Sequence, residues 1–227
     1  MTDSAFLYNV RRLPWVTLLL AGTAVLVAML PAGATWLQYD RPAIASGELW
    51  RFCTSHWTHV SSDHLFWDVL LFVVLGVPCE RHDRKEFVAC VAGTAGLIGP
   101  ALWVVLPRLQ RYRGLSGIDS ALLLLLAVTH LRPALRARHW GWVAALAGVG
   151  LAFLAKVGYE VVTGTTLFVN SQAGHLVPVP LAHGIGAVVG LAVGWVRPTP
   201  CPVPQAPAPG VSRSTAAGGQ TTRHIAW

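Results

Sequence analysis

Six apolar segments, separated by prolines and charged residues, constrain the fold of this chain more than any other feature. A helix that crosses a lipid bilayer needs about 20 mostly apolar residues. The segments therefore predict an all-α polytopic membrane protein, a bundle of six transmembrane helices, with no room for a separate soluble domain. They lie at residues 13–30, 63–79, 86–106, 115–131, 140–159 and 178–196.

The composition supports a lipid bilayer as the surroundings of the chain. Of its 227 residues, 54% are hydrophobic and 12% are charged, whereas a soluble domain has about 25% charged residues. The net charge of +7 is explained by basic cytoplasmic loops. Because the sequence contains no nucleic-acid-binding motif, this charge is not interpreted as a nucleic-acid interface.

The distribution of basic residues predicts the orientation. With both termini in the cytoplasm, eleven Lys and Arg side chains lie inside and six outside, as the positive-inside rule requires. The cluster Arg108, Arg111 and Arg113 runs against the rule. Residues 1–12 are then a cytoplasmic N-terminus, residues 13–196 the membrane domain, and residues 197–227 a Pro/Gly-rich, disordered cytoplasmic tail.

The first apolar segment has an alternative interpretation. Arg11 and Arg12 precede it, and Ala32-Gly33-Ala34 follows it like a signal-peptidase site. A run of about eighteen apolar-rich residues is long for the apolar part of a signal peptide, which has 7–15 residues. A first transmembrane helix is therefore the preferred interpretation.

Two short motifs open the fourth and sixth segments. Gly114-Leu115-Ser116-Gly117 opens the fourth, and Ala182-His183-Gly184-Ile185-Gly186 opens the sixth. Both segments run from the outside to the inside in the predicted topology. At about 1.5 Å rise per residue, Ser116 and His183 lie within several ångströms of the same depth, near the outer face.

This pair predicts nucleophilic catalysis. Serine needs a base to take its proton, and histidine commonly supplies one. Backbone N–H groups at a glycine-flanked helix start can stabilise an oxyanion. The same glycines would also serve simple helix packing, and the two interpretations are compatible, since close packing would bring Ser116 to His183.

Residues 56–68 hold three histidines and two carboxylates. Their spacing lacks the His-Glu-x-x-His pattern that places metal ligands on one helical face. A metal site is therefore not predicted.

Four sequence blocks, in their order along the chain, resemble the motifs of the rhomboid family of intramembrane serine proteases, in its minimal six-helix bacterial form. Glu48-x-Trp50-Arg51 is similar to the first-loop motif of the family, and the second block is similar to its second-helix motif. Gly114-x-Ser116-Gly117 and the block that begins Ala182-His183 match the motifs of the two catalytic helices. The second and fourth blocks read His59-x4-His64-x3-Asp68 and Ala182-His183-x2-Gly186-x3-Gly190.

The resemblance implies a serine endopeptidase with a Ser116–His183 dyad and neither metal nor cofactor. It implies that His59 lies beside the oxyanion, that His64 supports the fold, and that Gly114 belongs to the oxyanion region. Trp50 and Arg51 would shape a first loop that faces lipid. The substrates would be membrane segments of other proteins, cleaved near the outer face of the bacterial inner membrane.

Within the family, the chain looks most like the rhombosortase branch, because of its compactness, its Gly-Leu-Ser-Gly form and the dipeptide Trp67-Asp68. That branch is associated with trimming the C-terminal membrane anchors of secreted proteins. The alternatives are a catalytically inactive relative that binds or scaffolds membrane helices, and a small channel or transporter. The oligomeric state is left open.

Asp68 departs from the family, which commonly has asparagine there. An ionised aspartate cannot donate a hydrogen bond to an oxyanion, whereas a protonated one can. Alternatively, Asp68 pairs with His59 or His64 and serves the structure. In either case we expect Asp68→Asn to keep or raise the activity.

Three further charged residues lie inside apolar segments or at their ends. Asp119, three residues after Ser116, is expected to bond to a neighbouring helix, with a functional role as the alternative. Lys156 and Glu160 are predicted to form an interfacial pair one helical turn apart.

Overall fold

The computed structural model describes residues 13–30, 32–166 and 179–196. Each apolar segment corresponds to one helix, with ends that differ from the prediction by five residues at most. These helices are α1 (Trp15–Met29), α5 (Ser62–His82), α6 (Arg84–Val105), α7 (Ser116–Arg136), α8 (Trp140–Thr163) and α9 (Pro180–Val196). The predicted terminal regions, residues 1–12 and 197–227, lie outside the described residues.

Four of these helices, α5 to α8, are long and apolar enough to cross a membrane. Helices α1 and α9 are apolar but shorter, with 15 and 17 residues. The chain is thus a mostly helical, multi-pass membrane protein, and a count of six spans stays a prediction.

The loop between α1 and α5 is more structured than the sequence indicated. It contains α2 (Gly33–Leu37), α3 (Arg41–Ala45), α4 (Arg51–Thr54) and a 3₁₀ turn, Ser55–Trp57. It also contributes β1 (Tyr39–Asp40), which pairs antiparallel with β2 (Arg111–Tyr112). This two-residue ladder joins the loop to the segment that leads into Ser116.

Arg51 explains why the first loop holds its shape. Its guanidinium donates hydrogen bonds to the carbonyl oxygens of Thr35 and Gln38, at 2.8 and 3.0 Å. It also pairs with the carboxylate of Glu48 at 2.6 Å. Trp50 is half exposed beside it. The block thus stabilises the loop through Arg51 and leaves Trp50 at the surface.

The core has two parts. One cluster packs α1, α5, α6 and α7 together around Phe72, Phe87 and Leu122. The other lies between the first loop, α6 and the start of α9, around Tyr39, Ile98 and Ala182. The turn before Ser116 lies at the meeting point of these two clusters, since Leu115 belongs to the first and Tyr112 to the second.

A buried carboxylate connects the start of α1 with the end of α5, on the side of the bundle away from Ser116. Glu80, near the end of α5, accepts hydrogen bonds from the backbone N–H groups of Val16 and Thr17, at 3.2 and 2.7 Å. It also pairs with Arg84 at 2.9 Å. The first turn of a helix has backbone N–H groups without partners inside the helix, so Glu80 caps α1 from another element.

Candidate active site

Helices α7 and α9 form the most extensive helix pair of the fold. Gly186 and Gly190 of α9 lie against Gly117 and Ala121 of α7. A Cβ atom added at Gly186 would overlap the carbonyl oxygen of Gly117, and one at Gly190 would overlap that of Ala121. The structure confirms the small-residue contact that the motif spacing predicted. We call this contact the glycine seam.

The glycine seam brings Ser116 and His183 together. The Oγ atom of Ser116 lies 3.1 Å from Nε2 of His183, within hydrogen-bond distance. Ser116 is the first residue of α7 and is half-buried, whereas His183 is 5% exposed. A hydroxyl at a helix start, in contact with a buried imidazole, is an arrangement in which the imidazole can accept the hydroxyl proton.

Gly114 makes the turn before Ser116 possible. Its φ of +120° lies in the left-handed region, which side chains rarely adopt. A Cβ atom there would also lie 2.8 Å from Nε2 of His64 and 3.0 Å from Oδ2 of Asp68. Conformation and close approach thus both require glycine at this position.

Asp68 lies behind this turn and binds its backbone. Its Oδ2 atom accepts the N–H of Leu115 at 2.8 Å. The same oxygen lies 3.2 Å from Nε2 of His59 and 3.2 Å from Nε2 of His64. Of the two roles considered for Asp68, this geometry fits the pairing with histidines and the support of the structure.

His59 is 7% exposed; its Nε2 pairs with Asp68, and its Nδ1 has no hydrogen-bond partner among the described residues. Its carbonyl oxygen accepts a hydrogen bond from Arg113 at 3.2 Å.

Arg113 also donates to the side chain of Gln38 at 2.8 Å, and Arg111 pairs with Asp40 at 3.6 Å. Two of the three arginines that oppose the positive-inside rule therefore have local partners.

The second ring nitrogen of His183 faces α8. Nδ1 lies 3.0 Å from Oε2 of Glu160 and 3.2 Å from Nζ of Lys156. Lys156 and Glu160 form the predicted pair, at 2.9 Å. Its contact with His183 was missed, although charged residues inside an apolar span are a general signal of a functional site.

Asp119 is brought to the same region but not into a hydrogen bond. It is 5% exposed, and neither carboxylate oxygen has a hydrogen-bond partner among the described residues. Asp68 and Lys156 are the charged groups with which it interacts electrostatically. The expected bond to a neighbouring helix is thus not seen in the part of the chain that the structure describes.

His56 joins the first loop to the helix bundle beneath the site. It is fully buried, and Nε2 lies 3.3 Å from the carbonyl oxygen of Ala95 in α6. Burial lowers the pKa of His56 to about 4, because desolvation disfavours the charged form. The ring is therefore neutral at physiological pH. Next to it, the N–H of Gly114 donates to the carbonyl oxygen of Ser55 at 3.3 Å.

The family of the chain follows from its similarity to known proteins. No curated protein matches the chain. The sequence model of the Rhomboid domain matches residues 46–199, which is more than half of the 227 residues. This range includes all four sequence blocks and both residues of the Ser116–His183 contact. The chain belongs to the rhomboid family of membrane proteins.

Proposed function

We propose that this protein is an intramembrane serine endopeptidase that cleaves transmembrane segments or C-terminal anchors of other membrane proteins. The observation that carries the proposal is the 3.1 Å contact between Ser116 Oγ and His183 Nε2. Membership of a family of intramembrane proteases supports the same reaction class.

The reaction follows from the two side chains. Nε2 of His183 accepts the proton of Ser116 as Oγ attacks the carbonyl carbon of the substrate peptide bond. The imidazolium then returns the proton to the leaving amine, which breaks the C–N bond and leaves an acyl ester on Ser116. A water molecule, deprotonated by the same imidazole, hydrolyses the ester and frees the serine.

The negative oxygen of the tetrahedral intermediate needs donors. The backbone N–H groups in the first turn of α7 have no partners inside the helix and are suited to this purpose. His59 is a further donor in the proposal, since its Nδ1 has no hydrogen-bond partner among the described residues, while Nε2 pairs with Asp68. Asp68 and His64 position the turn through Leu115 and Gly114.

The proposed substrate and membrane orientation follow from the sequence motifs and the distribution of charge. The resemblance to the rhombosortase branch supports C-terminal anchors of secreted proteins as substrates, cleaved near the outer face of a bacterial inner membrane. The excess of basic residues in loops assigned to the inside supports six spans with both termini in the cytoplasm.

Labelling with a fluorophosphonate tests the proposal without knowledge of the substrate. We expect the detergent-solubilised protein to be labelled, and Ser116→Ala and His183→Ala to lose the label. Ser120→Ala is the matched control, because Ser120 is a second serine one turn along α7, bonded to the Ser116 carbonyl oxygen at 2.8 Å. It should keep the label.

A folded wild-type protein that does not react would contradict the proposal. Labelling of Asp68→Asn under the same conditions would then identify a site disabled by the carboxylate. If that variant also stays unlabelled, the result favours an inactive relative that binds membrane helices.

A further inference from the structure

The environment of His183 Nδ1 is unexpected for a two-residue site. A carboxylate oxygen, Glu160 Oε2, lies 3.0 Å from this nitrogen, and an ammonium, Lys156 Nζ, lies 3.2 Å from it. Both come from α8, which contributes nothing else to the site. Helix α8 thus brings one negative and one positive group to the atom that determines the tautomer of His183.

The burial of Glu160 is not a by-product of helix packing. In the described helix α8, Glu160 alone is buried, at 2% exposure, while its apolar side chains are half-buried or exposed. A charged residue is rarely buried at this level unless it is paired. The contact with His183 and Lys156 is therefore the reason for its position.

The two partners favour opposite tautomers. When the Nδ1–H of His183 donates to Glu160, the lone pair of Nε2 faces Ser116 and can accept its proton. When Lys156 donates to Nδ1, the proton of the neutral ring is on Nε2, which then cannot serve as a base. In the resting geometry both groups lie within hydrogen-bond distance of Nδ1, Glu160 Oε2 at 3.0 Å and Lys156 Nζ at 3.2 Å, so the two partners compete for this atom.

We propose that Glu160 is the acidic positioning residue of a Ser116–His183–Glu160 triad, and that Lys156 opposes it at Nδ1. This inference rests on the proposed serine protease function and deepens it. Glu160 holds the Nδ1 proton and stabilises the imidazolium that forms when His183 takes the serine proton. Lys156 pairs with Glu160 at 2.9 Å in the resting protein and competes with it for His183.

Other charges near His183 are few among the described residues. Helix α7 faces it with the hydroxyl of Ser116, and Asp119 of the same helix interacts electrostatically with Lys156. Helix α6 also packs against α9, but its charged residues are confined to Arg84–Glu86, at the end away from His183. Lys156 and Glu160 are thus the charged side chains that lie against the imidazole among the described residues.

The two groups of α8 predict opposite changes in the pH profile of fluorophosphonate labelling. Glu160→Gln removes the negative charge that stabilises imidazolium, so its acidic limb should move to lower pH. Lys156→Met removes the opposing positive charge, so its acidic limb should move to higher pH. Both variants abolish the Lys156–Glu160 ion pair, so a purely structural role of that pair would change both profiles alike.

The rate of fluorophosphonate labelling should also fall in Glu160→Gln. Neutralising the acid of a Ser-His-Asp triad lowers kcat about 10⁴-fold. Since Lys156 competes with Glu160 for Nδ1, we expect Glu160→Gln to slow labelling by less than this, by about 10- to 1000-fold. Glu160→Asp, which keeps the charge, should recover part of this loss.

Glu80→Gln is the matched control, because Glu80 is a second buried carboxylate, 3% exposed and also paired with a basic residue one turn away. It should lower the melting temperature of the protein and leave the pH profile unchanged.

The outcomes separate this inference from the function on which it rests. A folded wild-type protein that does not label overturns the proposed function. A wild-type protein that labels, with Glu160→Gln equal to it in rate and acidic limb, overturns the triad alone. If Glu160→Gln fails to fold, Lys156→Met decides, and an unshifted acidic limb in that variant overturns the triad.

Discussion

Helix α9 contacts α7 and α8 in two different ways. Against α7 it forms the glycine seam, where backbone meets backbone and no side chain fits between Gly117 and Gly186. Against α8 it places His183 beside Glu160 and Lys156, and Glu160 is the one buried residue of the described helix α8. The first contact depends on shape, and the second depends on charge.

The two kinds of contact have different roles in the site. Because close-packed backbones resist small displacements, the glycine seam sets the distance between Ser116 and His183. The polar contacts hold the surroundings of the groups that the seam brings together. Glu160 in α8 contacts His183, Asp68 in α5 binds the turn before Ser116, and His56 in the first loop contacts α6.

The largest effect is expected from Gly186→Val, which breaks the glycine seam. Its side chain would overlap the carbonyl oxygen of Gly117, so α7 and α9 must separate and Ser116 must move away from His183. Misplacement of a reacting group by about 1 Å can cost about 100-fold in rate, and we expect at least this loss in fluorophosphonate labelling.

Gly184→Ala is the control for this prediction. Gly184 lies on the same helix beside His183, but a Cβ atom there has nothing within 4 Å. It should label at nearly the wild-type rate. Equal labelling of Gly186→Val and the wild type would show that the seam does not set the Ser116–His183 distance.

An intermediate effect is expected at Asp68. Asp68→Asn keeps an oxygen that can accept the Leu115 N–H, so labelling should stay near the wild-type rate or increase. Asp68→Ala leaves this buried N–H without its acceptor, which costs about 1–3 kcal/mol. We expect a lower melting temperature and slower labelling for Asp68→Ala. A large loss in Asp68→Asn would instead show that the negative charge itself is required.

The smallest effect is expected at His56 and appears as a pH dependence of stability. The unfolded chain takes up a proton on His56 near pH 6.5, while the folded protein does so only near pH 4. Stability from the neutral ring is therefore complete above pH 6.5 and declines as the pH falls, by on the order of 3 kcal/mol at pH 4.

His56→Gln keeps a donor for the Ala95 carbonyl oxygen and cannot be protonated. Its melting temperature should fall less steeply than that of the wild type between pH 6.5 and pH 4. Parallel curves for the two proteins would show that His56 does not contribute to acid sensitivity.

Much of this arrangement was predictable from the sequence, because the membrane restricts what the chain can do. A long apolar segment has few alternatives to a helix in a bilayer, so the six helices were found at nearly the correct positions. The small residues at Gly117, Ala121, Gly186 and Gly190 predicted which helices meet. Together with the equal depth of the two motifs, they predicted the contact of Ser116 with His183.

The parts that were missed depend on tertiary contacts. The β1–β2 ladder has only two residues in each strand, too few for a periodic pattern. Lys156 and Glu160 were recognised as a pair, but the rotation of α8 about its axis decides which atom they face. A helix with apolar side chains all round gives no amphipathic stripe from which that rotation can be read.

Helix α8 has one further consequence, which concerns how freely its sequence can change. Since Glu160 is its single buried residue, most positions of this helix need only to be apolar and helix-compatible. Random exchange among leucine, valine, alanine and glycine along α8 should be tolerated, while positions 156 and 160 should accept few replacements. A library of α8 variants would then distinguish, residue by residue, the positions that only face lipid from the positions whose side chains contact His183.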